Sequence, residues 1–321
     1  MSRGGALLAV AGGVALVLGL ALGRGRTTLG VLDAGFLFFA GVAAGGLAVS
    51  IAIRLALGGW AASLLAHAEA PFGFLLPALV PLALLVLMPH AWMPDLGRPS
   101  APRAARDLTG AALLLLAGCA YLRRRSAALG IVYELLYVAV LSSWAVDLAM
   151  GLGPWAPSTV MPAVYFISVF VAGLCLATLR LVLAPDSDPA VRYDAGKLVF
   201  GFVSFWGYLL FAEFLPTWYE NIPDETALIF ARWHGPWRSL LLAVLGTVGA
   251  VPFGVLLTEW AKRQRVLLGI ATASALSGVL LQCLVLVLPP LHLPGGVPDF
   301  VLGAVLLAGL AGLFATAAAR A

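Results

Sequence analysis

The sequence predicts an all-α integral membrane protein with about ten transmembrane helices. Two observations lead there. Of 321 residues, 62% are hydrophobic and only 11% charged, whereas soluble globular chains carry roughly 25% charged residues. The mean hydropathy is +1.02. The apolar residues also fall in long continuous runs. A helix needs about 20 such residues to cross about 30 Å of hydrocarbon. A closed barrel is the other way to satisfy the backbone in lipid, but its segments are short and alternating.

The spans read in order as 5–23, 35–57, 71–91, 108–122, 127–152, 160–184, 197–217, 237–259, 266–289 and 299–319. The fourth is short and bounded by Asp107 and Arg123. The connectors leave no room for a soluble domain, so residues 1–321 form one polytopic unit. The first run follows Arg3 and is followed by Arg24 and Arg26. At about 19 residues it exceeds the 7–15 of a signal-peptide apolar region, so it is expected to be a retained helix.

Orientation follows the basic residues. The termini and even-numbered connectors carry 12 of the 19 (Arg3, Arg54, Arg123, Arg124, Arg125, Arg180, Arg192, Lys197, Lys262, Arg263, Arg265 and Arg320). The odd connectors carry 7: Arg24, Arg26, Arg98, Arg103, Arg106, Arg232 and Arg238. Both termini are therefore expected to be cytoplasmic, with the third connector arguing the other way.

The chain shows no redox motif of its own. Cys119, Cys175 and Cys283 stand alone, each inside a span, and no C-x-x-C occurs. That pattern suits neither an iron–sulfur cluster nor a covalent haem. His67, His90, His234 and His292 lie at span ends or in connectors, where they could not face one another across a mid-membrane haem. No phosphate loop or dinucleotide fingerprint is present. The sequence therefore offers no catalytic, cofactor-binding or metal-ligating set, and nothing that suits a nucleic acid.

Ionisable residues within spans remain, costly in lipid and functional candidates by default. These are Glu134 and Asp147 in the fifth span and Glu213 in the seventh. Glu134 and Asp147 are about 20 Å apart along the helix and about 140° apart around it. Glu134 shares its face with Tyr137, and Asp147 with Ser143. In the seventh span Lys197, Ser204 and Tyr208 form one polar stripe; Glu213, Thr217 and Glu220 form another nearly opposite. The carboxyls either pair across helices for packing or, with Tyr208 and Lys197, mark a proton path. Asp33, Glu69, Glu259 and Asp299 fall at span ends and are expected to be solvated there.

The connector WYENIPDET, residues 218–226, gathers Glu220, Asp224 and Glu225 beside Trp218, Tyr219 and Asn221. It is either an interfacial cap with solvated acids or a docking loop, since charged groups suit partner recognition and the aromatics suit the headgroup level.

Residues 194–226, DAGKLVFGFVSFWGYLLFAEFLPTWYENIPDET, resemble the signature of the ActF membrane subunit of alternative complex III. That family runs from a G-K-L helix start through F-W-A-Y and F-S-Q-F to W-Y-A-N-I-P-E-E-T. The corresponding residues here are Gly196-Lys197-Leu198, Phe205-Trp206-Gly207-Tyr208, Phe211-Ala212-Glu213-Phe214 and the nonapeptide. Residues 142–160 are similar to the family's S-V-D-W-V-M-S-L-D-P-H-W-Y-S-T, and residues 67–94 share its Ala-Glu and spaced prolines. Glu213 stands where the family has glutamine, Ala212 where it has serine, and Gly151-Leu152-Gly153 where it has S-L-D.

The resemblance implies a cofactor-free subunit of a quinol:cytochrome c or other periplasmic-acceptor oxidoreductase, respiratory or photosynthetic, in a bacterial inner membrane. It implies a fold of two four-helix bundles plus peripheral helices, distantly NrfD/PsrC-like. Haem c, iron–sulfur clusters and quinol would reside in partner subunits, the quinol site in an ActC-like membrane subunit. The chain would scaffold the complex and take part in proton translocation. Two other readings stay open: an NrfD-like quinone-binding anchor of another oxidoreductase, with a quinone pocket near His67, His90 or Asp147, and a secondary transporter. Pro77, Pro81, Pro162, Pro216 and Pro252 could break helices as transporters require, but no internal repeat is visible.

Overall fold

The structure is a computed structural model describing residues 3–93, 101–152, 158–291, 293 and 296–319. Arg98, Gly153, His292 and Arg320 lie outside these, as do the side chains of Arg3, Leu228 and Ala231. Every regular element among the described residues is helical. Among the described residues ten helices are long and apolar enough to cross a membrane: Gly4–Ala21, Gly25–Leu55, Gly59–Leu87, Ala101–Arg124, Ala127–Leu152, Met161–Leu183, Pro189–Glu220, Trp237–Leu256, Arg265–Leu291 and Val297–Ala318.

The second to fifth spans close into one bundle, each packing on its neighbours, and the sixth to ninth close into another. The second span joins the two through the sixth and ninth. The first and tenth pair outside, on the second. This is the two-bundle architecture expected, with two peripheral helices.

Lipid tails are as apolar as leucine, so helices associate in a bilayer by close packing of small residues. Two joints show this. A Cβ on Gly12 would stand 2.7 Å from the Gly309 Cα, and one on Gly312 2.7 Å from the Gly5 carbonyl oxygen. The first span is thus docked antiparallel on the tenth. The second joint links the bundles. A Cβ on Gly45 would meet the Val169 carbonyl at 2.5 Å, and one on Gly173 the Gly46 nitrogen at 2.6 Å. Gly46 faces the Ala68 carbonyl. The second, third and sixth backbones touch there, and only glycine permits it.

Two span boundaries differ from expectation in ways that matter. The second span begins at Gly25, ten residues earlier than the apolar run suggests, and is buried along nearly its whole length. Asp33 is therefore inside the protein and fully buried, not solvated at a span end. The fourth span begins at Ala101, so Arg103, Arg106 and Asp107 belong to a helix and not to the third connector. Pro81 and Pro216 sit inside continuous helix.

Candidate functional site

The first bundle holds a line of buried polar groups along the second span. Its lower end, beside the connectors shared with the termini, is an ionic cluster. Ser50 donates to Glu69 Oε1 at 2.6 Å, and Arg125 grips the carboxyl with both Nη atoms, Nη2 to Oε2 at 2.7 Å. Arg54 approaches at 3.4 Å. The Arg125 guanidinium rests over the Tyr121 ring at 5.6 Å, and its hydrogen bonds to Glu69 hold it above its usual pKa. Glu69 is thus committed to arginine, not solvated.

Above this cluster stand three buried tyrosines, each donating to a backbone carbonyl. Tyr133 donates to Ala44 at 2.9 Å, Tyr137 to Phe166 at 2.6 Å and Tyr165 to Leu37 at 2.9 Å. Tyr133 and Tyr137 are one helical turn apart on the fifth span. Glu134 is an electrostatic neighbour of both, Tyr137 of Tyr165, and Tyr165 of Asp33. A phenol oxygen that donates its proton can still accept another. From Ser50 to Asp33 the second span rises about 26 Å at 1.5 Å per residue, most of the hydrocarbon depth.

The column ends on unmet polar groups. Among the described residues, neither oxygen of Asp33 has a hydrogen-bond partner, nor does Glu134 Oε1 or Trp144 Nε1, although all are buried. Trp144 is edge-on to Phe36, 4.8 Å between centroids, one turn along from Asp33. Buried polar groups are normally paired, which sets these three side chains apart from the tyrosines.

At the opposite end Asp147 is paired, not open. Arg106 Nη2 donates to it and Arg103 approaches at 3.6 Å. Ser143 donates to Asp107 at 2.7 Å, and Arg106 reaches that carboxyl at 3.5 Å. Asp147 lies in a π-helical turn, Ala145–Ala149, which rotates it away from the regular helical register. Such turns are frequent at functional sites.

The second bundle holds Glu213. Ser158 donates to its Oε2 at 2.6 Å, and Arg232 is its electrostatic partner. Arg232 is 7% exposed, donating from Nε to the Val285 carbonyl at 3.0 Å and from Nη2 to Leu286 at 2.9 Å. Burial pulls its pKa down to about 10, with Glu213 opposing, so it is charged at neutral pH. Nearby, Trp206 Nε1 donates to Ser168 at 3.0 Å and to Gln282 at 3.2 Å, while Gln282 Nε2 returns to Ser168 at 2.8 Å.

Glu134, Asp147 and Glu213 are therefore not brought together. Lys197 is paired with Asp194 at 2.5 Å near the helix start, and Tyr208 is 63% exposed on the outer surface of its helix. Neither touches the column. Asp299 is paired with Arg24 at 2.6 Å. Glu259 is exposed and lies 2.7 Å from Arg263, which holds its carboxyl below the usual range.

The acidic connector is a helix–turn–helix. The seventh span runs to Glu220, Asn221 adopts the left-handed conformation, and Pro223–Trp233 forms a short helix with Asp224 and Glu225 in its first turn. Acids suit the positive end of a helix. Residues from Trp218 to Asp224 are all exposed and Glu225 partly so.

No protein-family model matches the chain, and comparison with curated proteins finds no match. Among the described residues no three His, Cys, Asp or Glu side chains gather into a metal-binding group. Cys175 and Cys283 are buried and Cys119 half-buried, and all three thiols are free.

The sequence pointed to Glu134 but not to its column. Tyrosines within apolar helices read as packing residues, and only the pairing of the second, fifth and sixth spans brings their hydroxyls to carbonyls of neighbouring helices.

Proposed function

We propose that this chain is a membrane subunit, without a redox centre of its own, of a quinol-oxidising electron-transfer complex of the alternative complex III type. Within it the chain scaffolds partners and carries protons part-way across the bilayer. The observation supporting proton handling is the set of buried polar groups spaced along the second span, Glu69 on Ser50, Tyr133 on Ala44 and Tyr165 on Leu37, together with Asp33 and Glu134 Oε1, which have no hydrogen-bond partner among the described residues. Ionisable groups in spans cost at least about 2.5 kcal/mol each on insertion scales, so two carboxyls with unmet hydrogen-bonding capacity argue for a role beyond packing. The exposed acidic turn from Trp218 to Glu225 is the proposed docking element for iron–sulfur, haem c and ActC-like subunits on the outer face of a bacterial inner membrane.

Gentle purification tests this assignment. Iron–sulfur and haem-bearing partners should co-purify, and the separated subunit should show no Soret band. A stable lone monomer, or haem bound stoichiometrically to the chain itself, would overturn it.

The proposed orientation has its own check. A reporter active only in the periplasm, fused to the C-terminus, should give no signal, because the bias of basic residues favours a cytoplasmic end there. A strong signal would invert the topology.

A further inference from the structure

At the end of the second bundle that carries the even-numbered connectors, two arginines converge on one serine. The sixth span ends at Leu183 and the seventh starts at Pro189, and the connector between them carries Ser187. Ser187 donates its hydroxyl to the Ala184 carbonyl at 3.0 Å. The same oxygen accepts from Arg192 Nη1 at 2.8 Å and from Arg265 Nη2, at the start of the ninth span, at 3.3 Å. Arg192 Nη1 also donates to the Ser187 carbonyl, and Arg265 Nη2 to the Pro185 carbonyl at 2.8 Å. All of these acceptors are neutral. Among the described residues neither guanidinium has a carboxylate in ion-pair reach, whereas Lys197 and Arg263 are paired with Asp194 and Glu259. Asp188 is an electrostatic neighbour of Arg192, but its carboxylate caps the seventh span, accepting from the Ala190 amide at 2.8 Å.

We propose that Arg192 and Arg265 bind the phosphate of an anionic phospholipid headgroup. Arg192 is 6% exposed, and buried charges are normally paired. Its hydrogen bonds run from Nη1, and its Nε is buried without an acceptor. Nε and Nη2 form the side edge of a guanidinium, the fork that matches two oxygens of one phosphate. On Arg192 that edge is unused among the described residues. Basic pockets between membrane helices hold anionic headgroups in this way. The site lies where the sixth span ends and the seventh and ninth begin, which is headgroup depth. Leu183 and Val266, beside it along the chain, are each 72% exposed and offer acyl chains an apolar rim. Charge selects the lipid. A net negative headgroup offsets two adjacent guanidiniums, whereas a zwitterionic one brings its own ammonium towards them. The inference rests on this cluster alone and stands whether or not the chain belongs to an electron-transfer complex.

The test titrates the full chain, delipidated in mild detergent, with phosphatidylglycerol, and counts retained lipid by native mass spectrometry. Phosphatidylcholine should bind at least about fivefold more weakly, the scale of one basic residue beside an anionic headgroup. Arg192→Gln and Arg265→Gln should each weaken phosphatidylglycerol binding by at least a similar factor. Arg265 is only part-buried, so its variant decides the matter if Arg192→Gln does not fold. Arg124→Gln removes the same charge from an exposed arginine of the first bundle and should leave binding unchanged. Inorganic phosphate, which has the head chemistry without the tails, should not compete. Equal binding of the two lipids, or binding indifferent to Arg265→Gln, would overturn the proposal. So would an equal loss in Arg124→Gln, which would mean diffuse attraction to a basic face, or displacement by inorganic phosphate, which would make the site one for a free anion.

Discussion

Gly173→Leu is expected to abolish the folded protein. A Cβ at Gly173 would lie 2.6 Å from the Gly46 nitrogen and 2.9 Å from both the Gly45 carbonyl carbon and the Gly46 Cα. These are backbone atoms, which no rotamer change moves aside. Overpacking a core by a few methylenes costs about 1–3 kcal/mol where side chains can yield. Here the second and sixth helices themselves would have to separate, and with them the two bundles. The second span is the element most affected, because it packs on helices of both bundles. Even Gly173→Ala should lower the unfolding midpoint clearly. Gly254→Ala serves as the control, since nothing lies within 4 Å of its added Cβ. Yield and thermal unfolding in mild detergent give the readout. A Gly173→Leu protein with an unchanged midpoint would mean that the two bundles do not meet at this joint.

The count and approximate placing of the spans were legible because hydrocarbon thickness and backbone satisfaction leave few alternatives. Misplaced boundaries came where a helix begins with polar residues. Arg103 and Arg106 read as connector because the apolar run starts at residue 108, yet both pair with Asp147 on the fifth span. Asp33 read as interfacial because the apolar run of the second span starts at residue 35. The second helix nevertheless carries it about 12 Å inward from Gly25 at 1.5 Å per residue. The turn after Glu220 was more readable, since an asparagine cap followed by proline at a helix start is a local signature. The column of tyrosine hydroxyls was not readable at all, for it depends on which helices become neighbours.

Asp33→Leu should raise the stability of the protein while lowering the proton-to-electron ratio of the proposed complex. The side chain is 0% exposed, and neither carboxyl oxygen finds a partner among the described residues. An unsatisfied buried polar group costs about 1–3 kcal/mol. Leucine is of similar size and carries no such demand, so a pure packing position would favour it. In the proposed role the carboxyl is retained because Tyr165 and the column below hand protons towards it. Asp33→Asn keeps shape and polarity but removes the exchangeable acid. It should therefore share the lowered ratio without the same gain in stability. Glu134→Gln should lower the ratio as well, because Glu134 flanks Tyr133 and Tyr137. Asp147→Asn should instead disturb the arginine cluster and act mainly on stability. Quinol oxidation and proton release in sealed vesicles, measured together with thermal unfolding, separate these outcomes. If Asp33→Leu destabilised the protein and left the ratio intact, Asp33 would be a packing group satisfied by bound water. The column would then be a set of hydrogen bonds that hold the second, fifth and sixth helices together, and the proposed role would shrink to that of a scaffold alone.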